Sequence, residues 1–394
     1  MNAHKVQLGD VCEFVRGVTF DKNEVTTKPE VGKIPILRAG NIGEELDVQN
    51  DLVWVPESVV GSEQLLRQND IAICMSSGSS AVVGKTARAA SNLHASVGSF
   101  CGIIRPKSAD QAAYLSFFFR SPTFFKHRDA IARGANIQNL RFSQFEEIVL
   151  EIPLEQERIS GELEQADRLR RTRRYTLELS DAFLRAAFVS LFGNPAKNSK
   201  YPLVPLGELI VRGPQNGLYK PAAAYGSGTR IVRIDAYQNS SAIDFAELQR
   251  VRLSSDEIAT YGLLKGDFLI NRVNSRTHLG KSTVVPRLSE PAVYESNMMR
   301  FRVDENRLNP VYAAQFLHTP FINEQIQKLA KDASNQASIN QEDVEGFVVL
   351  LPPLVAQHHF AVLVLKHERL RANQREALRQ TDHLFQSLLD RAFR

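Results

Sequence analysis

An internal repeat is the feature that most constrains how this chain can fold. Motifs of the first half return in the second half in the same order, at an offset of roughly 200 residues. The recurring pairs are LGD at residues 8–10 and LGE at 206–208, LLRQNDIAI at 65–73 and LLKGDFLI at 263–270, Gly84-Lys85 and Gly280-Lys281, and SP at 121–122 and TP at 319–320. Because so many ordered matches do not arise by chance, the sequence predicts a tandem duplication of a unit of roughly 195–200 residues.

Each repeat begins with a stretch that mixes short strands and helices. Apolar β-rich runs such as DIAICM and CGIIRP in the first copy, and DFLINRV and MMRFRV in the second, are broken by Gly, Asn, Ser and Pro. Helical patches lie among these runs at residues 112–128 and 310–329. The pattern predicts an α+β domain in each copy.

Each repeat ends with a segment that predicts one long helix. Residues 155–192 and 356–394 contain no Pro, carry mixed charge and follow the same heptad frame. The predicted helix–helix seam consists of Leu163, Leu177, Leu184 and Leu191 in the first helix and of Val364, Leu378, Phe385 and Leu388 in the second. Apolar ends and a polar middle are typical of a coiled coil whose polar centre sets the register. Two unconnected surface helices are the alternative.

The expected domain boundaries follow from these segments. We expect a first domain at residues 1–154, a first spacer helix at 155–192, a linker at 193–204, a second domain at 205–355 and a second spacer helix at 356–394. At about 1.5 Å per residue, each helix would form a rod about 57 Å long. The predicted fold is α+β, with two similar α+β domains joined by two long antiparallel coiled-coil helices in a pseudo-twofold arrangement.

Composition and charge are those of a folded protein inside the cell. Of 394 residues, 43% are hydrophobic and 23% are charged, which excludes wholesale disorder. No apolar run approaches the roughly 20 residues of a membrane span and no secretory signal is recognised, so we expect a cytoplasmic protein without a membrane partner. The cysteines Cys12, Cys74 and Cys101 are expected to be reduced thiols. The net charge of +4 permits a polyanionic partner without requiring one.

Motifs that would carry catalysis are not found in the sequence. The closest approach to a phosphate-binding loop, from Gly78 to Gly84-Lys85, has one residue too many between its glycines. Asn194-Pro195-Ala196 lacks the second Pro and the aromatic residue of an adenine-methylating loop, and His358-His359 has no Cys or acid at metal-binding spacing. We therefore expect no catalytic residue, no bound cofactor and no metal in this chain. Duplication without catalytic residues indicates a binding scaffold.

Two polar segments in each copy have side chains suited to DNA. Residues 271–281 carry Arg and Lys without an acid, interleaved with Asn, Ser, Thr and His, which can contact phosphates and base edges. A second acid-free segment at 130–142 corresponds to residues 334–340. The predicted DNA-binding residues are Lys85, Arg133, Asn136, Asn139 and Arg141 in the first copy and Arg272, Asn274, Arg276, His278, Lys281, Asn335 and Gln336 in the second. For each segment, the alternative is a solvated polar turn.

Residues 168–174 concentrate five arginines on the first long helix. These side chains could lie over phosphates or face a partner subunit. They could also pair with Glu162, Glu164 and Glu178 of their own helix. The sequence alone leaves these interpretations open.

The repeated strings resemble those of one protein family. VQLGDVCEFVRGVTF, NDIAICMSSGSSAVVGK and GANIQNLRFSQFEEIVLEIPLEQERI resemble one half of a type I restriction–modification specificity subunit. PLGELIVRG, KGDFLINRVNSRTHLGK and SINQEDVEGFVVLLPPLVAQ resemble the other half. The resemblance covers nearly the whole chain.

The resemblance implies a specific role for each part of the chain. Each α+β domain would be a target recognition domain that reads one half of a split double-stranded DNA site, and because the two copies differ, the site would be asymmetric. The two helices would fix the gap between the halves and dock two methyltransferase subunits, which motor-nuclease restriction subunits would join. S-adenosylmethionine, ATP and Mg would belong to these partners, and this chain would be non-catalytic.

Other interpretations stay open at this point. The chain could be the specificity module of a fused methyltransferase–nuclease, a coiled-coil assembly scaffold without a DNA role, or an NTP-binding enzyme. Enrichment of a split DNA sequence would separate recognition from scaffolding, and nucleotide protection in thermal melts would indicate the NTP-binding enzyme.

Overall fold

The computed structural model divides into two compact units. It describes residues 3–132, 140–197, 199–237, 243, 245, 247–333 and 336–394. Unit 1 comprises Met1–Tyr175 and Glu376–Arg394, and unit 2 comprises Thr176–Arg375. Because the unit boundaries fall inside the two long helices, each unit contains a part of each helix.

Unit 1 is built from short strands and helices that lead into a long helix. Its elements are β1 (Ala3–Gln7), α1 (Leu8–Val11), β2 (Cys12–Arg16), β3 (Lys33–Leu37), β4 (Val53–Pro56), β5 (Ile71–Cys74), β6 (Thr86–Arg88), β7 (Ser96–Val97), β8 (Cys101–Pro106), α2 (Ala109–Phe118), α3 (Pro122–Ala132), α4 (Phe142–Glu146), β9 (Val149–Pro153) and the first part of α5 (Gln156–Phe192). Single-turn 3-10 helices lie at Lys22–Glu24, Ala39–Asn41, Glu57–Val59 and Ser62–Gln64.

Unit 2 repeats this order and adds short strands. Its elements after α5 are β10 (Leu203–Pro205), β11 (Ile210–Asn216), β12 (Tyr225–Val232), β13 (Arg250–Val251), α6 (Ser255–Tyr261), β14 (Phe268–Asn271), β15 (Val273–Asn274), β16 (Ser282–Val284), β17 (Ala292–Tyr294), β18 (Met298–Val303), α7 (Pro310–Leu317), α8 (Pro320–Leu329), β19 (Lys331–Ala333), β20 (Gln336–Ser338), α9 (Gln341–Glu345), β21 (Val348–Leu350) and the first part of α10 (Leu354–Ala392). Its 3-10 helices lie at Leu206–Leu209 and Ala222–Ala224.

The two units share one sheet topology. Unit 1 has sheets in the orders β2-β8-β5-β6, β4-β3-β7 and β1-β9, and unit 2 has β11-β18-β14-β16, β13-β12-β17 and β10-β21 in the same roles. Strands β5 and β14 are buried along their whole length, as the apolar repeated motif requires. Equivalent backbone hydrogen bonds run from Leu8 N to Ile148 O (2.9 Å) and from Leu206 N to Phe347 O (2.7 Å). The prediction of two similar α+β domains is confirmed.

The helical patch of each unit consists of two helices separated by a short break. In unit 1, where the sequence predicts a helical patch at residues 112–128, α2 ends at Phe118 and α3 begins at Pro122. In unit 2 the break falls between α7 and α8, and α8 begins at Pro320. Proline lacks an N–H and therefore favours the first turn of a new helix over the interior of an existing one. The result in both units is a helical hairpin.

The core of unit 1 includes side chains from both long helices. Leu163 of α5 is buried together with Phe385 and Leu389 of α10. The ring of Phe393, the residue after the end of α10, lies 4.9 Å from the ring of Tyr114 in α2. The last residues of the chain are therefore part of the packing that holds the N-terminal sheets.

The core of unit 2 has the corresponding arrangement with the helices exchanged. Phe188 and Phe192, at the end of α5, lie 6.0 Å and 5.3 Å from the ring of Tyr312 in α7. Phe360 and Val364, near the start of α10, are buried in the same cluster. In each unit, the end of one long helix packs between the start of the other and the helical hairpin.

The two long helices run antiparallel within each unit. In unit 1, Glu162 near the start of α5 lies 3.4 Å from Arg391 near the end of α10. In unit 2, Ser180 Oγ lies 2.8 Å from His367 Nε2, and the Phe188 and Phe360 rings are 5.6 Å apart. Positions further along α5 thus meet positions earlier in α10, as the sequence predicted.

The predicted seam is wrong at one position. Leu163, Val364 and Phe385 are buried, and Leu177, Leu184, Leu378 and Leu388 are half-buried. Leu191, however, is 47% exposed, and Phe188 and Phe192 occupy the buried face at that end of α5. An α-helix has about 3.6 residues per turn, so a strict seven-residue frame drifts off the buried face by about 20° per heptad. The strict seven-residue frame therefore no longer matches the buried face at the end of α5.

Candidate DNA interface

The two recognition segments predicted in unit 2 lie side by side. Strand β15 pairs antiparallel with β20, where Val273 is opposite Ser338, and β20 pairs in turn with β19. The N–H of Ile339 donates to the carbonyl of Arg272 at 2.9 Å. This small sheet brings together segments that are far apart in the sequence, and so combines their polar side chains on one part of the unit.

Besides Arg276, four predicted residues of this region retain access to solvent. Arg272 and Asn274 are half-buried, whereas His278 and Gln336 are exposed. Arg272 is anchored through Nη1, which donates to the carbonyl of Ser296 at 3.2 Å. Guanidinium, amide and imidazole groups of this kind can hydrogen-bond the edges of bases in the major groove.

Arg276 is held between two acceptor residues. Its Nε and Nη2 donate to the two carboxylate oxygens of Asp332 at 2.8 Å and 2.6 Å. Its Nη1 lies 3.2 Å from both the backbone and the side-chain oxygen of Gln327. Asp332 raises the pKa of Arg276, and the guanidinium lowers the pKa of the Asp332 carboxyl, so both groups stay charged at neutral pH. The Arg276 side chain nevertheless remains 44% exposed.

Lys281 is the most buried of the predicted DNA-binding residues that the structure describes. It is only 7% exposed, and its Nζ lies 5.9 Å from the centre of the Tyr237 ring. Burial lowers the pKa of the Lys281 ammonium. A phosphate contact needs an accessible ammonium group, so burial of the stem restricts how Lys281 could reach DNA, and its DNA contact stays a prediction. Its stem packs in the interior because the turn at Gly280 directs the chain into β16.

Unit 1 joins its two predicted segments through the equivalent hydrogen bond. The N–H of Leu140 donates to the carbonyl of Met75 at 2.9 Å, which matches the bond from Ile339 in unit 2. Lys85 and Arg141 are exposed near the two segments. Small neutral residues make up most of the loop between β5 and β6. The two units therefore present the same backbone arrangement with different side chains.

Several predicted residues cannot be compared with the structure. Arg133, Asn136, Asn139 and Asn335 lie outside the residues that the structure describes. They remain predictions from the acid-free composition of their segments.

Sequence reasoning missed residues that contact the predicted segments from other elements. Asp332 and Gln327 hold Arg276 from β19 and α8. In unit 1, Arg128 of α3 donates through Nη1 to the carbonyl of Val83 at 3.0 Å. No local motif marks these residues, because their relation to the segments arises only when the chain folds.

The arginine-rich stretch of α5 is engaged by acids of its own unit. Arg170, which is 6% exposed, lies 2.6 Å from Asp167 and 2.9 Å from Glu44, and Arg171 contacts Glu45. The acids of the loop between β3 and β4 thus neutralise part of the arginine run. These pairs anchor that loop to α5 and reduce the positive charge available for phosphates.

Neither a metal-binding cluster nor a membrane-spanning helix is found among the described residues. Across the described ranges, no group of three or more His, Cys, Asp and Glu side chains could hold a metal ion. Within the same ranges, no helix combines the length and apolar character needed to cross a bilayer. Cys12, Cys74 and Cys101 are free and buried.

Similarity to known proteins extends over the whole chain. A family model described as the type I restriction modification DNA specificity domain matches residues 2–179. The type I restriction enzyme StySPI specificity subunit of Salmonella potsdam is 30% identical over 406 residues, covering 98% of this chain and 87% of that protein. The EcoKI specificity subunit of Escherichia coli (strain K12) is 28% identical over 407 residues, with the same coverage of both chains.

Solved structures share the fold at lower identity. The S subunit of a type I restriction–modification system from M. genitalium has a TM-score of 0.60 and 14% identity, covering 100% of this chain and 96% of that one. A chain from a structural study of assembly and conformational transition of a type I system has a TM-score of 0.56 and 16% identity, covering 100% and 97%.

Fold and similarity together define a DNA-specificity protein that arose by duplication. The chain belongs to the specificity subunits of type I restriction enzymes, a family that supplies DNA sequence specificity and is in general non-catalytic. A fused methyltransferase–nuclease module and a scaffold without a DNA role are not favoured by these relationships.

Proposed function

We propose that this chain reads an asymmetric bipartite site in double-stranded DNA, with one half-site assigned to each unit. The observation that carries the proposal is the equivalent joining of two polar segments in both units, through Leu140 and Met75 in one and Ile339 and Arg272 in the other. A surface built twice on the same backbone is suited to bind the same kind of ligand twice.

The difference between the two surfaces supports an asymmetric site. Unit 2 offers Arg272, Asn274 and His278, whose side chains can distinguish bases in the major groove. Unit 1 offers Lys85 and Arg141 beside a loop of small neutral residues, which allows the backbone to approach DNA closely. Because different side chains select different bases, the two half-sites are expected to differ.

The two long helices are proposed to set the number of base pairs between the half-sites. Both α5 and α10 belong in part to unit 1 and in part to unit 2. A continuous α-helix is stiff and has a fixed rise of about 1.5 Å per residue. Its length therefore converts directly into a preferred spacing on DNA.

Two methyltransferase subunits are the proposed partners of the helices, and motor-nuclease restriction subunits would join through them. In unit 2, Leu179 and Phe183 of α5 are 53% and 49% exposed, and Val362 and Leu365 of α10 are 51% and 54% exposed. Large apolar side chains at this density on helix surfaces are typical of a protein-binding face. S-adenosylmethionine, ATP and Mg would be bound by the partners, and this chain would contribute recognition without catalysis.

Methylome sequencing tests the proposal directly. The chain is co-expressed with its cognate methyltransferase in a host without other DNA methylation, and methylated sites are mapped. We expect one split sequence with two different halves and a constant gap. Methylation of a palindrome or of a continuous sequence would contradict the proposal. Methylation that does not depend on this chain would mean that the chain has an assembly role without DNA recognition.

A further inference from the structure

The salt bridge of Arg276 differs from an ordinary surface ion pair in its geometry. The Asp332 carboxylate accepts hydrogen bonds from Nε and Nη2, which form one edge of the guanidinium. Nη1 donates to the backbone and side-chain oxygens of Gln327. The partners come from two elements, β19 and α8, so the guanidinium plane is fixed relative to the small sheet. A guanidinium carries five N–H donors, so this arrangement fixes the plane without using every donor.

The same contacts make a phosphate-binding role unfavourable for Arg276. Attraction to DNA phosphates depends on net positive charge. The Asp332 carboxylate lies 2.6 Å from Nη2 and cancels that charge locally. The remaining N–H donors of Arg276 therefore attract a phosphate only weakly, but their directions are fixed. Donors with fixed directions are what recognition of a base edge needs.

We propose that Asp332 positions Arg276 to read a single guanine in the half-site contacted by unit 2. The inference rests on the proposed function and adds the base and the positioning residue. Arg276 would contact the base, and Asp332 would act through Arg276 by holding its plane.

Guanine is the base whose edge matches this arrangement. In the major groove it presents two acceptors, N7 and O6, whereas adenine presents one acceptor and one donor. The side-chain oxygen of Gln327 now lies 3.2 Å from Nη1, in the position of such an acceptor. A flexible glutamine side chain can rotate away and leave Nη1 and Nη2 to the two guanine acceptors.

Unit 1 has no matching arginine in its corresponding loop. Between Ser76 and Lys85 the only charged residue is Lys85 itself. The corresponding loop of unit 1 therefore offers no equivalent of Arg276.

The test uses the chain in complex with its methyltransferase and a duplex carrying the split site found by methylome sequencing. Each guanine of both half-sites is replaced in turn by 7-deazaguanine, which removes only the N7 acceptor. For the wild type, we expect affinity to fall by about 10- to 100-fold at one guanine. Arg276→Lys keeps the positive charge but removes the planar guanidinium. Asp332→Asn removes the charged carboxylate that holds the plane of Arg276. Both variants should lose most of this sensitivity and accept other bases at that position only.

Matched controls separate the base contact from other effects. Arg250→Lys disturbs another bidentate pair of unit 2, in which half-buried Arg250 lies 3.0 Å and 2.9 Å from the oxygens of Glu290, and should leave base preference unchanged. Inosine, which lacks only the minor-groove amino group, should be tolerated in place of the guanine.

Three outcomes would overturn the inference. A uniform, salt-dependent loss of affinity in Arg276→Lys and Asp332→Asn would make Arg276 a phosphate contact. A lower melting temperature with unchanged base preference would show that the Arg276–Asp332 pair only stabilises the fold. A unit 2 half-site without a sensitive guanine would exclude the reading role. If the wild-type complex methylates no split site at all, the proposed function fails first, and the two failures are thereby distinguished.

Discussion

At the residue scale, a buried ion pair gives the Asp of the repeated motifs LLRQNDIAI and LLKGDFLI a structural role in both units. Asp70 accepts hydrogen bonds from Nε and Nη2 of Arg105 at 2.8 Å and 2.7 Å, and from the N–H of Arg67 at 2.7 Å. In unit 2, Asp267 is paired with Arg302 at 2.8 Å. Both carboxylates are almost completely buried. The motif therefore closes the turn that leads into the central strand and is structural.

Replacing Arg105 should destabilise unit 1 strongly. Arg105→Ala leaves the Asp70 carboxylate buried without its partner, which costs about 3–5 kcal/mol in comparable cases. Denaturant titration of the chain measures the loss of unfolding free energy. The control is Arg379→Ala, which removes an exposed pair with Glu376 and should destabilise the chain far less, because solvent screens an exposed ion pair. Equal, small effects of both substitutions would show that the buried pair is dispensable.

His318 should make stability depend on pH in the mildly acidic range. Its Nε2 lies 2.9 Å from the carbonyl of Ser282, and burial lowers its pKa below the ordinary value of 6.5. The unfolded chain then binds more protons than the folded chain, so this contribution is present above about pH 6.5 and is lost as the pH falls below it. We expect the melting temperature to decrease between pH 7 and pH 5.5, and His318→Gln to weaken that decrease. An unchanged slope in the variant would exclude His318 as the cause.

At the scale of elements, the long helices show how far a heptad pattern can be extended. The frame places Leu163, Val364 and Phe385 on buried faces. It fails at the end of α5, where Phe188 is buried and Leu191 is exposed. The aromatic cluster of the domain, and not the partner helix alone, decides which side of the helix is buried there.

This difference can be measured with two substitutions three residues apart. Phe188→Ala removes a ring that is 5% exposed and should cost about 3–5 kcal/mol through lost burial and the cavity left behind. Leu191→Ala removes a side chain that is 47% exposed and should change stability by about 0.5 kcal/mol or less. Denaturant midpoints of the two variants provide the comparison. A larger loss of stability in Leu191→Ala than in Phe188→Ala would support the strict heptad seam instead.

At the scale of the whole molecule, the proposed role of the helices predicts a change in DNA spacing. Four alanines are inserted after Tyr175 in α5 and after Arg375 in α10, where the units meet along the chain. Four residues add about 6 Å and close to one full turn. At about 3.4 Å per base pair, the accepted gap should lengthen by roughly two base pairs while both half-sites stay the same. Methylome sequencing of the variant measures both properties.

A matched insertion controls for general disturbance. Four residues added beside Val31, which lies fully exposed in the loop before β3, should leave the gap unchanged. A changed set of bases in the helix variant, or an unchanged gap at full activity, would contradict the spacing role.

Much of the architecture was predictable because duplication and periodicity are local properties of a sequence. Repeated motifs such as NDIAI and GDFLI predicted two equivalent domains, and Pro-free segments with a heptad frame predicted two long helices. The family was recognisable from the same strings. These signals depend on the order of residues along the chain, and they survive without any knowledge of how the chain packs.

The partners of individual side chains were decided only by tertiary structure. Lys281 belongs to an acid-free segment yet is buried beside Tyr237, and Arg276 meets an acid that lies on another element. Charge and polarity along a segment show what a side chain can do, but not where it lies. Burial and pairing depend on contacts between residues distant in sequence, and those contacts form only when the strands and helices pack together.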